Sequence, residues 1–217
     1  MIQIKALPFN PFQTNTYILW DESLEAIVID PSFSTEKEYQ YFNDILKSKN
    51  LKLQAIYNTH CHFDHCFGAA FLKNDLNMSY AAHQDGIQFT KNAALQASVY
   101  GLNISHIEEP STFIDQGDRI RFGSSELSIL NTPGHADGSL CFVSQKEKFV
   151  ITGDVLFRES IGRTDLPTGD LDLLLASIHN KLFKLAGDFI VYPGHGPQSS
   201  IAHEQANNPF LHFGEVF

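Results

Sequence analysis

Basic residues are scarce and dispersed. Lys+Arg number 15 against 25 Asp+Glu, a formal net charge of −10, and no Lys/Arg run exceeds two residues. An acidic chain without a basic patch excludes a nucleic-acid footprint and an anionic membrane surface as partners. Long apolar runs are missing too. Stretches such as Ala26–Ile29 fall far short of the roughly 20 residues a membrane helix needs. The opening MIQIKALPFNPFQTN carries Asn, Pro and Gln where a secretory leader needs an apolar run. Cysteine is sparse and odd in number: Cys61, Cys66 and Cys141 form no CxxC pair, so no disulfide framework is expected. Reduced thiols and the lack of a leader point to the cytoplasm.

What is present is ample core material. The apolar share is 43%, with 18 Phe and 7 Tyr, enough for a large buried interior rather than disorder. The pattern is mixed α and β. Short strands are expected over 2–5, 15–20 and 25–30, broken by Pro8 and Pro11. Ser34 is expected to cap a helix over about 35–49, with Tyr39, Phe42, Ile45 and Leu46 at helical spacing. A buried strand follows at Leu53–Tyr57, then helices at 65–74 and 85–99 around a strand at 78–82. After Pro110, strands are expected at 118–122, 126–131, 139–144 and 148–152, a helix at 170–185, a strand at 189–193 and a last helix at 199–207. The fold class is α/β: one domain over 1–217, in two halves of about 1–110 and 111–217, whose sheets pack face to face with helices outside.

Histidine is the unusual abundance. Ten are present, and they cluster. The run Thr59-His60-Cys61-His62-Phe63-Asp64-His65 follows an apolar strand and precedes a helix. In an extended segment His60, His62 and Asp64 point one way, because strand side chains alternate. Imidazole and carboxylate together suit zinc, and imidazole also suits iron. Three further loops share the same grammar, a polar ligand type after an apolar strand beside glycine: Thr132-Pro133-Gly134-His135, Thr152-Gly153-Asp154 and Tyr192-Pro193-Gly194-His195. Cys61 is out of phase with its histidine neighbours and is expected to face the core. His83, His106, His179, His203 and His212 have no motif partners and read as surface or capping residues.

The ordered set HxHxDH, TPGHxxGS, GD and PGHG resembles the metallo-β-lactamase-fold hydrolase superfamily, and within it the glyoxalase II-like branch. The resemblance spans essentially the whole chain. It implies an αβ/βα four-layer sandwich with two divalent metal ions, zinc in the first place and iron or manganese otherwise, at one edge between the sheets. His60, His62 and His135 would hold one metal, and Asp64, His65 and His195 the other. Asp154 would bridge both, with Asp64 and Asp154 the carboxylates of the catalytic centre. A water between two such cations loses a proton near neutral pH and becomes the nucleophile on an acyl carbon. A small-molecule thioester is the implied substrate, with the protein a monomer or homodimer.

Some positions depart from the branch. Only 22 residues follow His195, so the appended glutathione-binding helical domain is not expected. Gly162-Arg163-Thr164-Asp165 keeps a cation but puts Asp165 where the family carries Tyr, and Gly196-Pro197 replaces a second Tyr. Arg163 is either an anchor for a substrate carboxylate or a partner of Asp165 or Asp170. The alternative function is a persulfide dioxygenase of the same fold, which binds one iron through the His60, His135 and Asp154 equivalents and also carries a GRTD segment. The aromatic tail from Pro209 to Phe217 is expected to pack back on the fold or to serve dimer contacts.

Overall fold

A computed structural model describes residues 1–104 and 106–211. The first half builds a six-stranded mixed sheet in the order β1 to β6. Its strands are β1 (Gln3–Phe9), β2 (Thr14–Trp20), β3 (Glu25–Ile29), β4 (Lys52–Tyr57), β5 (Tyr80–Ala82) and β6 (Thr112–Phe113). β1, β2 and β3 pair antiparallel, whereas β3 to β6 run parallel. Helices α1 (Glu36–Ser48), α2 (Phe63–Cys66), α3 (Ala69–Leu76), α4 (Ile87–Lys91) and α5 (Ala93–Val99) connect these strands. The second half adds β7 (Arg119–Phe122), β8 (Ser125–Asn131), β9 (Leu140–Ser144), β10 (Phe149–Gly153), β11 (Leu156–Phe157), β12 (Ser160–Ile161), β13 (Ile190–Pro193) and β14 (Ser199–Ser200), with α6 (Leu171–Asn180) and α7 (Ile201–Asn207). Its main sheet has the order β14-β13-β10-β9-β8-β7, with β10 and β13 parallel.

Alternation within single strands produces the layers. In β2, Ile18 and Trp20 face the helices of the first half, while Tyr17 and Leu19 face the second sheet. In β9, Leu140 and Phe142 meet them there, while Cys141 and Val143 turn outward onto α6 and α7. The result is three apolar interfaces, helices on sheet, sheet on sheet and sheet on helices, which is the expected four-layer sandwich. Cys61 is fully buried in the first of these layers, as its phase requires. All three cysteines are free and buried.

Several local boundaries differ from the sequence expectation. β1 continues through Pro8 because it is an edge strand paired only with β2, so the missing proline N–H breaks no ladder. α1 is capped by Thr35 rather than Ser34: Thr35 and Glu38 form a reciprocal capping box. The helix expected at 65–74 is split at Gly68, whose N–H bonds to the Pro31 carbonyl at 2.7 Å and whose Cα abuts the Phe33 ring. The helix expected at 85–99 is divided at Asn92, and that at 170–185 ends at Asn180. Among the described part of the tail, Leu211 is buried in the outer layer and Phe210 is exposed. The rest of the aromatic tail, His212 included, lies outside the described residues. No helix among the described residues is long and apolar enough to cross a membrane.

The two sheets are clamped at the edge remote from the histidines. Asp21, in the β2–β3 turn, is 1% exposed. Its carboxylate accepts bonds from Ser23 and, across the sandwich, from Ser124 N, Ser124 Oγ and Ser125 Oγ at 2.7–3.1 Å. Burial alone raises a carboxyl pKa, but these donors outweigh it and hold Asp21 well below its ordinary 3.8. A depressed folded-state pKa adds stability that is complete above the unfolded value and is lost as pH falls toward the folded one. Asp21→Ala therefore costs about 2–3 kcal/mol at pH 7. In urea unfolding at pH 7, 5 and 3, the gap between wild type and variant holds from pH 7 to 5 and narrows at pH 3. An unchanged gap at pH 3 would exclude charge as its source.

Candidate metal centre

The ligand-type residues converge at the opposite edge, each from a loop just past a strand. β4 leads into His60, His62, Asp64 and His65; β8 into His135; β10 into Asp154; β13 into His195. Glycine permits the close approach. A Cβ on Gly194 would overlap Asp154 Oδ1, and one on Gly134, at φ 130°, would overlap the backbone of Leu174.

Among the described residues three donor groups form, each with its ligand atoms within 4.8 Å of one another: His60/His62/His135, Asp64/His65/His195 and His60/His65/Asp154. The first two are the triads implied by the family resemblance. Asp154 lies between them, with Oδ1 3.4 Å from His65 Nε2, and Oδ2 3.4 Å from His195 Nε2 and 3.7 Å from His135 Nε2.

Most of the rings are aimed by their other nitrogen. His65 Nδ1 donates to Asp30 Oδ2 at 3.0 Å, His135 Nδ1 to the Arg163 carbonyl at 2.8 Å and His195 Nδ1 to the Phe12 carbonyl at 3.0 Å. His60 Nδ1 lies 3.1 Å from the Thr59 hydroxyl, which itself donates to Asp30. In the neutral ring each of these contacts keeps the proton on Nδ1, so that Nε2 carries the lone pair a metal would take. His62 differs: its Nδ1 lies 3.0 Å from both His60 Nε2 and His135 Nε2.

These residues fit a pair of cations. Burial holds His60 neutral, and burial with the neighbouring His135 pulls His62 down to about 3. Neutral imidazole lone pairs thus crowd around one point, an arrangement that a cation relieves. At the second triad burial opposes charge, yet Asp64, Asp154 and Asp30 together hold His65 well above the ordinary histidine range. Asp154 and Asp64 likewise lift His195 to about 10. Those histidines in turn hold Asp154 low and Asp64 at about 2, against their burial. His65 Nε2 and Asp154 Oδ1 are buried with no hydrogen-bond partner among the described residues, and such orphaned atoms are costly unless an ion engages them.

Several contributors carried no local signal. Asp30, in a left-handed turn (φ 51°) after β3, accepts from Thr59 N, Thr59 Oγ1 and His65. In the β1–β2 loop, Phe12 holds His195, and at the start of β2 Thr14 Oγ1 donates to Asp64 Oδ2 at 2.8 Å. Asn15 and Tyr17 of β2 bind the Pro193 carbonyl and seat the His195 loop. Arg163 lies on the wall of the adjoining cavity. Its guanidinium pairs with Asp165 through two bonds of 2.7 and 2.8 Å and donates to the Tyr100 hydroxyl at 3.2 Å. Asp137 accepts from Gln88, and His83, His106 and His203 pair with nearby acids.

A cavity of about 600 Å³ opens over the centre, with His62, Asp64, His135, Asp154 and His195 on its floor. His60 and His65 lie behind them, 1% and 0% exposed. Access is therefore from the side of these five residues.

Comparison with known proteins agrees with this geometry. The sequence profile of the Metallo-beta-lactamase superfamily matches residues 9–195. The chain is 34% identical to the hydroxyacylglutathione hydrolase GloC of Haemophilus influenzae, over 97% of this chain and 98% of that protein. It is also 34% identical to the human mitochondrial persulfide dioxygenase ETHE1, over 91% of this chain and 71% of that protein. Among solved structures, the BLEG-1 B3 metallo-beta-lactamase superposes with a TM-score of 0.87 at 36% identity, covering 97% of this chain and all of that one. TTHA1623 in a di-iron-bound form superposes with a TM-score of 0.85 at 33% identity, covering 95% and 100%.

Proposed function

The chain belongs to the metallo-beta-lactamase superfamily, and from that membership we propose that it is a binuclear metal-dependent hydrolase of thioesters. The observation that carries this reading is the pair of complete ligand triads with Asp154 3.4–3.7 Å from histidines of both, and with His65 Nε2 and Asp154 Oδ1 buried without hydrogen-bond partners among the described residues. Two divalent cations, zinc in the first place, would supply a Lewis acid for the carbonyl and acidify a water. Of the chain's own groups, His60, His62 and His135 hold the first site, and Asp64, His65 and His195 the second. Thr14 pins Asp64 Oδ2, which faces His195 Nε2 at 3.4 Å, and the neighbouring His65 and His195 keep this carboxylate ionised against its burial. The scissile carbonyl enters across the floor formed by His62, Asp64, His135, Asp154 and His195, since His60 and His65 are covered. Water adds at the acyl carbon and the carbon–sulfur bond breaks, giving acid and thiol without redox change. Free, buried thiols support a reducing compartment such as the cytoplasm.

A second reading is kept because of the identity to ETHE1 and the Gly162–Asp165 segment at the cavity. Metal analysis separates the two. The hydrolase carries about two metals per chain and turns over a thioester panel that includes S-lactoylglutathione, and chelation abolishes turnover. One iron per chain, no thioester cleavage and oxygen uptake on glutathione persulfide would make it a dioxygenase instead.

A further inference from the structure

The wall of the cavity bears on which thioester the site accepts. Phe12, Phe63 and Tyr100 meet edge-on or tilted, with centroids 5.4–5.9 Å apart. Leu95 and Val99 of α5 extend this surface, 70% and 79% exposed. The aromatic floor is continuous with the ligands: Phe63 sits between His62 and Asp64 in the chain, and the Phe12 carbonyl holds His195. A group lying on those rings has its first atoms at the metal edge. Charge recognition on this wall is blocked. Among the described residues, Arg163 is the one basic side chain lining the cavity apart from the histidines, and its fork is bound by Asp165 and Tyr100. Beyond the histidines of the centre, the remaining charges facing in are the carboxylates Asp64 and Asp154. An arm bearing its own carboxylates, as in glutathione, would meet no free Lys or Arg on this wall among the described residues. The volume of about 600 Å³ is ordinary for a small-molecule site.

We propose that the acyl arm of the substrate is an uncharged alkyl or aryl chain, seated on Phe12, Phe63 and Tyr100 against Leu95 and Val99. This deepens the hydrolase reading and rests on it. Burying apolar surface is non-directional and scales with area, so affinity grows with each methylene that finds this wall.

The test uses the metal-loaded protein. S-acyl-N-acetylcysteamine thioesters from acetyl to octanoyl are assayed beside binding of the neutral fluorophore N-phenyl-1-naphthylamine. kcat/KM rises about two- to fourfold per methylene, and octanamide displaces the probe. In Leu95→Asp/Val99→Asp, two exposed positions where folding is not at stake, the slope flattens and the probe is lost. Hydrolysis that is flat with chain length, or fastest on S-lactoylglutathione, overturns the proposal, as does probe binding that the variant leaves intact. Probe binding and displacement without cleavage of any thioester would keep the apolar arm as ligand class and overturn hydrolysis. Absence of both overturns both.

Discussion

Asp154→Ala is expected to lower metal content from about two ions per chain to below one and to cut thioester turnover by about 10³-fold or more. The reason is electrostatic as much as geometric. Asp154 lies within 3.4–3.7 Å of one histidine of the first triad and two of the second. Among the described residues no other carboxylate faces both. Asp64, the second acid at the centre, is spoken for by Thr14 and by the second triad. Without Asp154 each cation loses its shared anion while the imidazoles that repel one another remain. A 10³-fold loss is about 4 kcal/mol of transition-state stabilisation, the size seen when one oriented electrostatic partner is removed. Asp154→Asn separates charge from shape, because the amide keeps the volume against Gly194 and drops the anion. Both variants should melt near wild type when all three proteins are metal-free. An Asp154→Asn variant that retained two metals and full turnover would show that a bridge needs only a neutral oxygen there, against this account.

The residues that converge on the candidate metal centre were legible because each is announced locally. An apolar strand, a glycine or proline turn and a polar ligand type recur at His60–His65, His135, Asp154 and His195, and the order of elements in each half, strands first and then helices and strands in turn, foretells two sheets packed face to face. What stayed hidden is contributed across the chain. Asp30 reads as an ordinary acid ending a strand, and only the fold brings it to Thr59 and His65. Phe12 acts through its carbonyl, which has no sequence signature at all. Tyr100 sits past a short helix whose apolar residues look misplaced until the cavity is seen. Arg163 left two readings open, and the bidentate pair with Asp165 comes from loop geometry two residues long, not from residue type. Thr35 against Ser34 at α1 was undecidable by type, since both cap helices; the reciprocal bond with Glu38 settles it.

Asp30 supports the largest effect expected away from the ligands themselves. Its carboxylate is fully buried and takes three bonds of 2.7–3.0 Å, from Thr59 N, Thr59 Oγ1 and His65 Nδ1. Through His65 it aims one ligand of the second site. Through the Thr59 hydroxyl, placed at 3.1 Å from His60 Nδ1, it aims one of the first. Asp30 touches neither substrate nor reacting atoms and is a positioning residue. Replacing it with alanine strands a buried backbone N–H, a hydroxyl and an imidazole, a loss of about 3–5 kcal/mol in stability. Metal affinity should fall about 10- to 100-fold, the usual cost of removing a carboxylate behind a ligating histidine. A merely structural role predicts the first effect without the second, so metal titration is the deciding readout. Asp30→Asn keeps one acceptor, for Thr59 N, and puts an NH2 where Oδ2 was, so the Thr59 hydroxyl can only accept from it and His65 Nδ1 loses both its acceptor and the anion. It should recover part of the stability and of the first-site affinity, while second-site affinity stays weak. Equal weakening of both sites in Asp30→Asn, or unchanged affinity in a folded Asp30→Ala, would place the organisation of the centre elsewhere.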